Sequence, residues 1–108
     1  MEPKFFDLAA LETQRAGTRI AYLEFLRVAA MSAGIYVIPA GGDDPQQPHR
    51  EDEFYYVLKG KARMTAGQST RAVSAGSIIF VPAAVEHRFH DIEEDLAVLV
   101  VFAPAETS

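Results

Sequence analysis

The stretch "DPQQPHREDEFYYVLKG" (residues 44–60) joins a polar, proline-containing segment to an apolar run that ends in a glycine. In an extended chain, alternate side chains point to opposite faces, so His49 and Glu53 share one face. Tyr55 and Val57 continue that face as an apolar wall. An unpaired carboxylate beside such a wall is costly, and a bound cation offsets that cost. By itself, the stretch is either a charged loop that leads into a strand, with His49 exposed, or half of a metal site at the start of that strand.

A second stretch, "GSIIFVPAAVEHRFHD" (residues 76–91), supplies a candidate for the other half. Its pattern predicts a strand, a turn directed by proline, and a second strand in which His87 and His90 face opposite ways. His87 can then join His49 and Glu53, while His90 is expected at the surface. Two histidines and one carboxylate leave coordination positions open on an octahedral metal.

The composition limits the classes of partner. The chain has 108 residues, enough for one domain, and it contains no cysteine, so His, Asp and Glu are the available metal ligands. A formal charge of −5 and a pI near 5.1 argue against nucleic acid. No apolar run reaches the roughly 18 residues of a membrane span, and the start lacks a secretory pattern. We expect a cytoplasmic protein with a small-molecule ligand, without nucleic acid or membrane partners.

Short runs rich in β-branched and aromatic residues alternate with turn signals, which predicts an all-β sandwich or barrel. The runs are residues 19–29, 31–38, 53–59, 61–65, 69–73, 77–81, 85–91 and 96–102. Residues 1–18 are expected to be an N-terminal extension or edge segment, and residues 19–108 a single β-barrel domain.

Local signals refine this outline. Residues 5–14 are either a short helix that begins at Asp7 or an edge strand, with Gly17 as the end in both cases. Gly60 and Gly67 each predict a tight hairpin turn. Residues 78–81 and 96–102 are the most apolar strands, which predicts that they are central and covered on both faces.

The two stretches together resemble the cupin superfamily, whose motifs are G-x5-H-x-H-x3,4-E-x6-G and G-x5-P-x-G-x2-H-x3-N. Residues 47–60 match the end of the first motif at His49, Glu53 and Gly60. Residues 76–91 match the second motif at Gly76, Pro82 and His87.

The resemblance implies a small antiparallel β-barrel of the jelly-roll, or double-stranded β-helix, type that holds a divalent transition metal (Fe, Mn, Ni, Cu or Zn). The implied ligands are His49, Glu53 and His87. Dioxygenase and isomerase or cyclase activities are known for cupins, so a metal-dependent enzyme is one expectation. A non-catalytic binding or sensing module with a degenerate metal site is the alternative. Candidate residues of the substrate pocket are Tyr55, Met64 and Phe89.

Three positions depart from the family pattern. Gln47 stands where the first histidine is expected, and it either ligates the metal, holds a metal-bound water, or is a plain loop residue. Gln46 has the opposite parity, which favours Gln47 over Gln46 at the position of the first histidine. Ala84 replaces the glycine of the second motif, and Asp91 replaces its asparagine.

A homodimer is a further expectation. Single-domain cupins commonly pair, and a two-fold dimer is the commonest closed assembly. Residues 19–29 are the candidate contact strand, because large apolar side chains occur on both of its faces.

Overall fold

The structure, a computed structural model, describes residues 1–46 and 48–107. In chain order the elements are α1 (Leu8–Thr18), β1 (Tyr22–Val28), β2 (Met31–Ile38), β3 (Asp52–Ala66), β4 (Ser69–Ser74), β5 (Ile78–Val81) and β6 (His87–Ala103). The six strands form one sheet in the order β1-β2-β6-β3-β4, with β5 also paired to β3. All the described pairings are antiparallel. The predicted all-β antiparallel architecture is therefore confirmed.

Two long neighbouring strands form the frame of the barrel. β3 has 15 residues and β6 has 17, and they pair from Asp52 opposite Ala103 to Ala66 opposite His87. Burial along the first half of β3 alternates, so Glu53, Tyr55 and Val57 point inward, as the period of two predicts. The core cluster comprises Ile38, Tyr55, Val57, Ala62, Met64, Val73, Val81, Phe89, Ile92, Leu96, Val98, Val100 and Phe102.

The two glycines expected in hairpins behave differently. Gly67 lies in a two-residue turn, since Ala66 pairs with Ser69, and its φ is +59°. The hairpin predicted at Gly60 is wrong, because β3 continues through this residue with φ +101° and irregular pairing to β6. A Cβ here would overlap the Asp95 carbonyl oxygen and lie 2.7 Å from Leu96 Cα. Gly60 therefore permits a close approach of two strands.

The N-terminal segment is a helix and not an edge strand. Asp7 caps α1 by accepting a hydrogen bond of 2.9 Å from the Ala9 N–H. The helix runs past Gly17 and ends at Thr18, where Arg19 takes a left-handed φ of 60°. No residue of α1 is buried, so the helix lies outside the barrel core.

The prediction that both apolar strands are covered on both faces holds for one of them. Residues 96–102 of β6 lie between β2 and β3 and are largely buried. The prediction for β5 is wrong, because this strand pairs with β3 alone among the described strands. Its Ile78 and Phe80 are 62% and 60% exposed. An apolar sequence predicts that a strand is buried, but it does not show whether residues of the same chain bury it.

Candidate metal centre and its pocket

His49, Glu53 and His87 meet inside the barrel, as the sequence predicts. Glu53 belongs to β3, His87 begins β6, and His49 lies in the segment before β3. Glu53 Oε1 is 2.9 Å from His87 Nε2 and 3.6 Å from His49 Nε2. One ligand atom from each residue lies within 4.8 Å of the other two. The three side chains thus form a compact group of two imidazoles and one carboxylate.

Hydrogen bonds join the segments that carry these ligands. The Ala84 N–H donates to the His49 carbonyl oxygen at 2.7 Å, which ties the turn before β6 to the segment before β3. The neighbouring Ala83 N–H donates to Asp52 Oδ1 at 2.9 Å. Ala84 takes a φ of +68° in this turn, where a glycine would be unstrained. The departure from glycine therefore leaves the turn intact but places an alanine in a left-handed conformation.

Glu53 is the most unusual polar group of the site. Its side chain is 1% exposed, and neither carboxylate oxygen has an aligned hydrogen-bond donor among the described residues. The Nε2 atom of His87 is close enough for an ion pair, but its aligned partner is the Tyr55 hydroxyl at 3.0 Å. A buried carboxylate without donors costs free energy, and a cation beside it removes that cost. The residues present therefore fit a bound metal ion.

The two histidines have the same orientation relative to Glu53. His87 Nδ1 is 2.9 Å from the Val85 carbonyl oxygen, and His49 Nδ1 is 3.4 Å from Glu106 Oε2. Both rings therefore turn Nε2 toward Glu53. Burial lowers the pKa of His87, but the Glu53 carboxylate and the Val85 carbonyl outweigh burial, so that the pKa is raised above its usual value. The cavity side of the group consequently attracts positive charge.

A cavity of about 200 Å³ adjoins the metal group. Its lining residues are Tyr22, Tyr36, Gln46, His49, Glu53, Tyr55, Val100, Phe102 and Glu106. The Tyr22 hydroxyl is buried and has no hydrogen-bond partner among the described residues. Burial is the main cause that raises the pKa of Tyr22, Tyr36 and Tyr55, so all three are neutral phenols near neutral pH. The cavity combines aromatic walls with unpaired polar atoms.

The predicted pocket residues separate into two kinds. Tyr55 lines the cavity, and its hydroxyl bridges His87 Nε2 and Gln46 Oε1 at 3.0 Å each. Met64 and Phe89 are 3% and 0% exposed and belong to the core. Phe89 packs edge-on against Tyr55, with ring centroids 5.2 Å apart, so it supports the cavity wall from behind.

The glutamine pair has one described member. Gln47 lies outside the described residues, so its predicted place in the metal shell stays a prediction. Parity favoured Gln47 over Gln46 near the metal, yet Gln46 Oε1 is 3.4 Å from His49 Nε2 and the Gln46 amide nitrogen is 2.7 Å from Asp44 Oδ2. Parity does not apply to Gln46, because residues 44–46 and 48–51 are not part of a strand. Asp44, which is 4% exposed, fixes the Gln46 amide in place.

The sequence reasoning also missed cavity residues from distant parts of the chain. Tyr22 and Tyr36 belong to β1 and β2, where aromatic residues are ordinary and carry no site signal. Glu106 follows the last strand in a segment without a motif. His90, as expected, does not join the metal group; it contacts Thr65 at 2.7 Å and Asp91 at 2.9 Å. Asp91 is 69% exposed and lies outside the cavity lining.

The fold and the side chains inside it define a β-barrel with a buried histidine and carboxylate group, and comparison with known proteins agrees with the fold. The family model described as "Cupin domain" matches residues 34–102. The chain belongs to the cupin family. An uncharacterized protein of Streptomyces coelicolor is 51% identical over 104 residues, covering 96% of this chain and 99% of that protein.

Solved structures resemble the same barrel. The crystal structure of TT1209 from Thermus thermophilus has a TM-score of 0.78 at 23% identity, covering 94% of this chain and 97% of that chain. An RmlC-like cupin from Methanocaldococcus jannaschii, described with a double-stranded β-helix fold, has a TM-score of 0.70 at 21% identity. That match covers 77% of this chain and 78% of the other. In the described part of the chain, no helix has the length and apolar character to cross a membrane.

Proposed function

We propose that this cupin binds a divalent transition metal through His49, Glu53 and His87 and takes a small organic ligand in the adjoining cavity. The observation that carries the proposal is the buried Glu53 carboxylate, which has two imidazoles within 3.6 Å but no aligned donor. Iron, manganese, nickel, copper and zinc all suit imidazole and carboxylate donors. When bound, such a metal supplies Lewis-acid or oxygen chemistry at the cavity. Cytoplasmic residence is part of the same proposal.

The cavity supports a small ligand with an oxygen or nitrogen acceptor. Its volume of about 200 Å³ is below the roughly 300–1,000 Å³ of ordinary ligand sites. The unpartnered Tyr22 hydroxyl can donate to an acceptor on the ligand, while Tyr36 already donates to Asp44 at 2.7 Å. No lysine or arginine is among the residues that line the cavity, and two glutamates are. A bound divalent ion would offset the formal charges of the two glutamates, so the charge of the loaded site does not select between a neutral and an anionic ligand.

Two modes of action fit this site. As an enzyme, the protein would be a metal-dependent dioxygenase or an isomerase or cyclase. As a non-catalytic binding or sensing module, it would hold the ligand unchanged. The second mode is favoured by one feature of the sequence, that Gln47 stands where the cupin motif has its first histidine, which leaves three ligands of the motif's four.

Metal analysis of protein purified without a histidine tag tests the metal part of the proposal. The wild type is expected to carry stoichiometric metal, whereas His49→Ala and Glu53→Ala lose it. His90→Ala is the matched control, because this histidine lies outside the metal group, and it should retain the wild-type content. Equally little metal in the wild type and in all three variants would contradict the proposal.

Oxygen consumption and product analysis then separate the two modes of action. The metal-loaded protein is incubated with a panel of small neutral, anionic and cationic organic compounds, and bound compounds are recovered. Conversion of a compound supports an enzyme, while recovery of the same compound unchanged supports a binding module. A Glu53→Ala sample measures any background reaction.

We also propose a homodimer, formed through the outer face of β3 and β5. Phe54 pairs with Phe80 and Tyr56 with Ile78 across the two strands, so these four side chains form one outer apolar patch. They are between 39% and 62% exposed. On the other side of β3, Phe54 pairs with Val101 of β6 and Tyr56 pairs with Leu99. β1 is less suited to this role than the sequence indicated, because Phe6 packs on its Phe25 with ring centroids 4.8 Å apart.

The size and charge of the outer apolar patch favour a second copy as its occupant. With about 200 Å² for each large side chain, the patch exposes about 400 Å². Two-fold pairing of two patches would bury about 800 Å², half of a standard interface of roughly 1,600 Å², before Leu99, Val101 and the backbone edge of β5 are added. Because the patch carries no charged side chain, two copies of an acidic protein can meet here without like-charge repulsion.

A further inference from the structure

The segment after β6 (residues 104–107) is held by hydrogen bonds at Glu106 and Thr107. The Glu106 N–H donates to Ser32 Oγ at 2.9 Å, and the Glu106 carbonyl accepts from Arg27 Nη2 at 2.6 Å. The Thr107 hydroxyl donates to Glu51 Oε2 at 2.7 Å. Ser32 is fully buried and Glu51 is 4% exposed, so both anchors belong to the packed body of the protein. The backbone of Glu106 therefore has a defined position.

This position directs the Glu106 side chain to the metal group. Its Oε2 atom is 3.4 Å from Nδ1 of His49, and the two side chains are 18% and 17% exposed. The opposite ring nitrogen, Nε2, is 3.6 Å from Glu53 Oε1. A carboxylate only accepts hydrogen bonds, so this contact draws the ring proton to Nδ1. It acts against two acceptors at the other nitrogen, because Gln46 Oε1 lies 3.4 Å from Nε2 and Glu53 Oε1 is beside it. With the proton on Nδ1, the lone pair of a neutral ring lies on Nε2, on the side of Glu53.

The other histidine has the same arrangement with a different partner. The Val85 carbonyl, 2.9 Å from Nδ1 of His87, also only accepts, and it leaves Nε2 of that ring for the metal group. The Glu106 carboxylate thus faces Nδ1 of His49 in the way that the Val85 carbonyl faces Nδ1 of His87. The need is greater at His49, because this residue lies in an irregular segment and not in a strand.

We infer that Glu106 is a positioning residue, which fixes the tautomer and ring direction of His49 for metal binding. The inference rests on the proposed function, because it concerns the same metal group. Glu106 is not one of the residues whose ligand atoms all lie within 4.8 Å of one another, so its place is at the far nitrogen of the ring and not at the metal. Phe102 packs edge-on against the ring, with centroids 5.0 Å apart, and limits its rotation from a further side.

Imidazole nitrogen-15 spectra of the metal-free protein test the inference directly. The wild type should show His49 with its proton on Nδ1. Glu106→Ala should move the ring proton toward Nε2, where the Gln46 and Glu53 oxygens accept, while Glu106→Gln, which keeps an accepting amide oxygen, should retain part of the preference for Nδ1. Glu93→Ala removes an exposed acid of β6 and is the matched control, expected to match the wild type. Wild-type spectra in Glu106→Ala would overturn the inference.

Titration with Zn²⁺ and with Mn²⁺ measures the consequence for affinity. Loss of a partner that orients a ligating histidine typically raises Kd 10- to 100-fold, and we expect Glu106→Ala in that range, with Glu106→Gln less affected. A Kd for Glu106→Ala within about twofold of the wild type would overturn the inference. If the wild type binds neither metal, the proposed function fails, while the tautomer of metal-free His49 still decides the role of Glu106.

Discussion

Nε2 of His87 lies 2.9 Å from Oε1 of Glu53, and both side chains are 1% exposed. Water does not solvate this contact, so the carboxylate depends on its immediate neighbours for positive charge. Burial of the ring lowers the pKa of His87, but the Glu53 carboxylate, the Val85 carbonyl and the charge of Asp44 together raise it above its usual value. A bound metal ion would supply positive charge to Glu53 and would also lie beside His49.

Divalent metal should stabilise the wild type against heat. A ligand at 100 times its Kd adds about 2.7 kcal/mol to the free energy of unfolding. For a domain of this size, that corresponds to a rise in Tm of about 10–20 °C. Scanning calorimetry with Zn²⁺ or Mn²⁺, followed by excess chelator, measures the rise and its reversal. Glu53→Gln should abolish the rise and His90→Ala should keep it; an equal rise in both variants would place the metal elsewhere.

Tyr55→Phe should destabilise the metal-free protein by about 1–2 kcal/mol, because the buried His87 Nε2 and Gln46 Oε1 both lose a hydrogen-bond partner. Urea denaturation measures the change. Tyr56→Phe is the matched control: the neighbouring hydroxyl lies on the outer face, on a residue 39% exposed, and its removal should change stability by less than about 0.5 kcal/mol. Equal effects of the two variants would show that the Tyr55 hydroxyl has no structural role.

The sequence predicted the ligand group because the spacing of the two motifs identifies all three residues. Within β3 and β6, the period of two also predicts which side chains share the face of Glu53 and of His87. His49 lies before β3, so motif spacing and not periodicity identifies it. Gln46 escaped the same reasoning, because periodicity has no meaning in the irregular segment before β3. Glu106 escaped it for another reason: a long-range contact made by a chain segment without periodicity leaves no local signal.

The fold, too, was predictable where a local pattern determines it and not where long-range contacts do. Short apolar runs between turn residues identified the strands, but they divided β3 at Gly60, where the glycine serves a close strand approach and not a turn. The exposure of β5 could not be predicted from the sequence either. The apolar residues of a strand indicate that the strand is buried, but they do not identify what buries it. A strand buried within its own chain and a strand buried by a partner both have apolar sequences.

Ala84→Gly should raise stability. The φ of +68° costs an L-residue about 1–2 kcal/mol relative to glycine, while the greater freedom of glycine in the unfolded chain returns about 0.5–1 kcal/mol. We expect a net gain of about 0.5–1 kcal/mol, measured by urea denaturation. Ala83→Gly is the control, since Ala83 has no positive φ and should lose stability from the added freedom. A loss in both variants would contradict the strain at Ala84.

Gly60→Ala should have a large opposite effect. The new Cβ would meet the backbone of Asp95 and Leu96, which a rotamer change cannot relieve, and φ +101° is unfavourable for alanine. Together these effects should cost about 2–5 kcal/mol, seen as a lower denaturation midpoint. Gly17→Ala is the control: a Cβ there meets nothing within 4 Å, and alanine in a helix should add up to about 1 kcal/mol. A Gly60→Ala protein as stable as the wild type would refute the close approach.

The outer apolar patch predicts a dimer at micromolar concentration. Sedimentation equilibrium of the wild type should give twice the chain mass, and Phe80→Glu should give a monomer, because it places an unpaired carboxylate at the centre of the interface at a cost of about 3–5 kcal/mol.

Ile20→Glu is the matched control for the dimer. Ile20 is 42% exposed but lies before β1, away from the patch, so this variant should sediment like the wild type. Circular dichroism of Phe80→Glu should show an intact sheet, because Phe80 is 60% exposed and packs little within its own chain. A wild-type protein that is monomeric would refute the dimer. A Phe80→Glu protein that remains dimeric would show that the dimer forms through another surface. β1 would then be the first surface to test, with a charged substitution of the same kind.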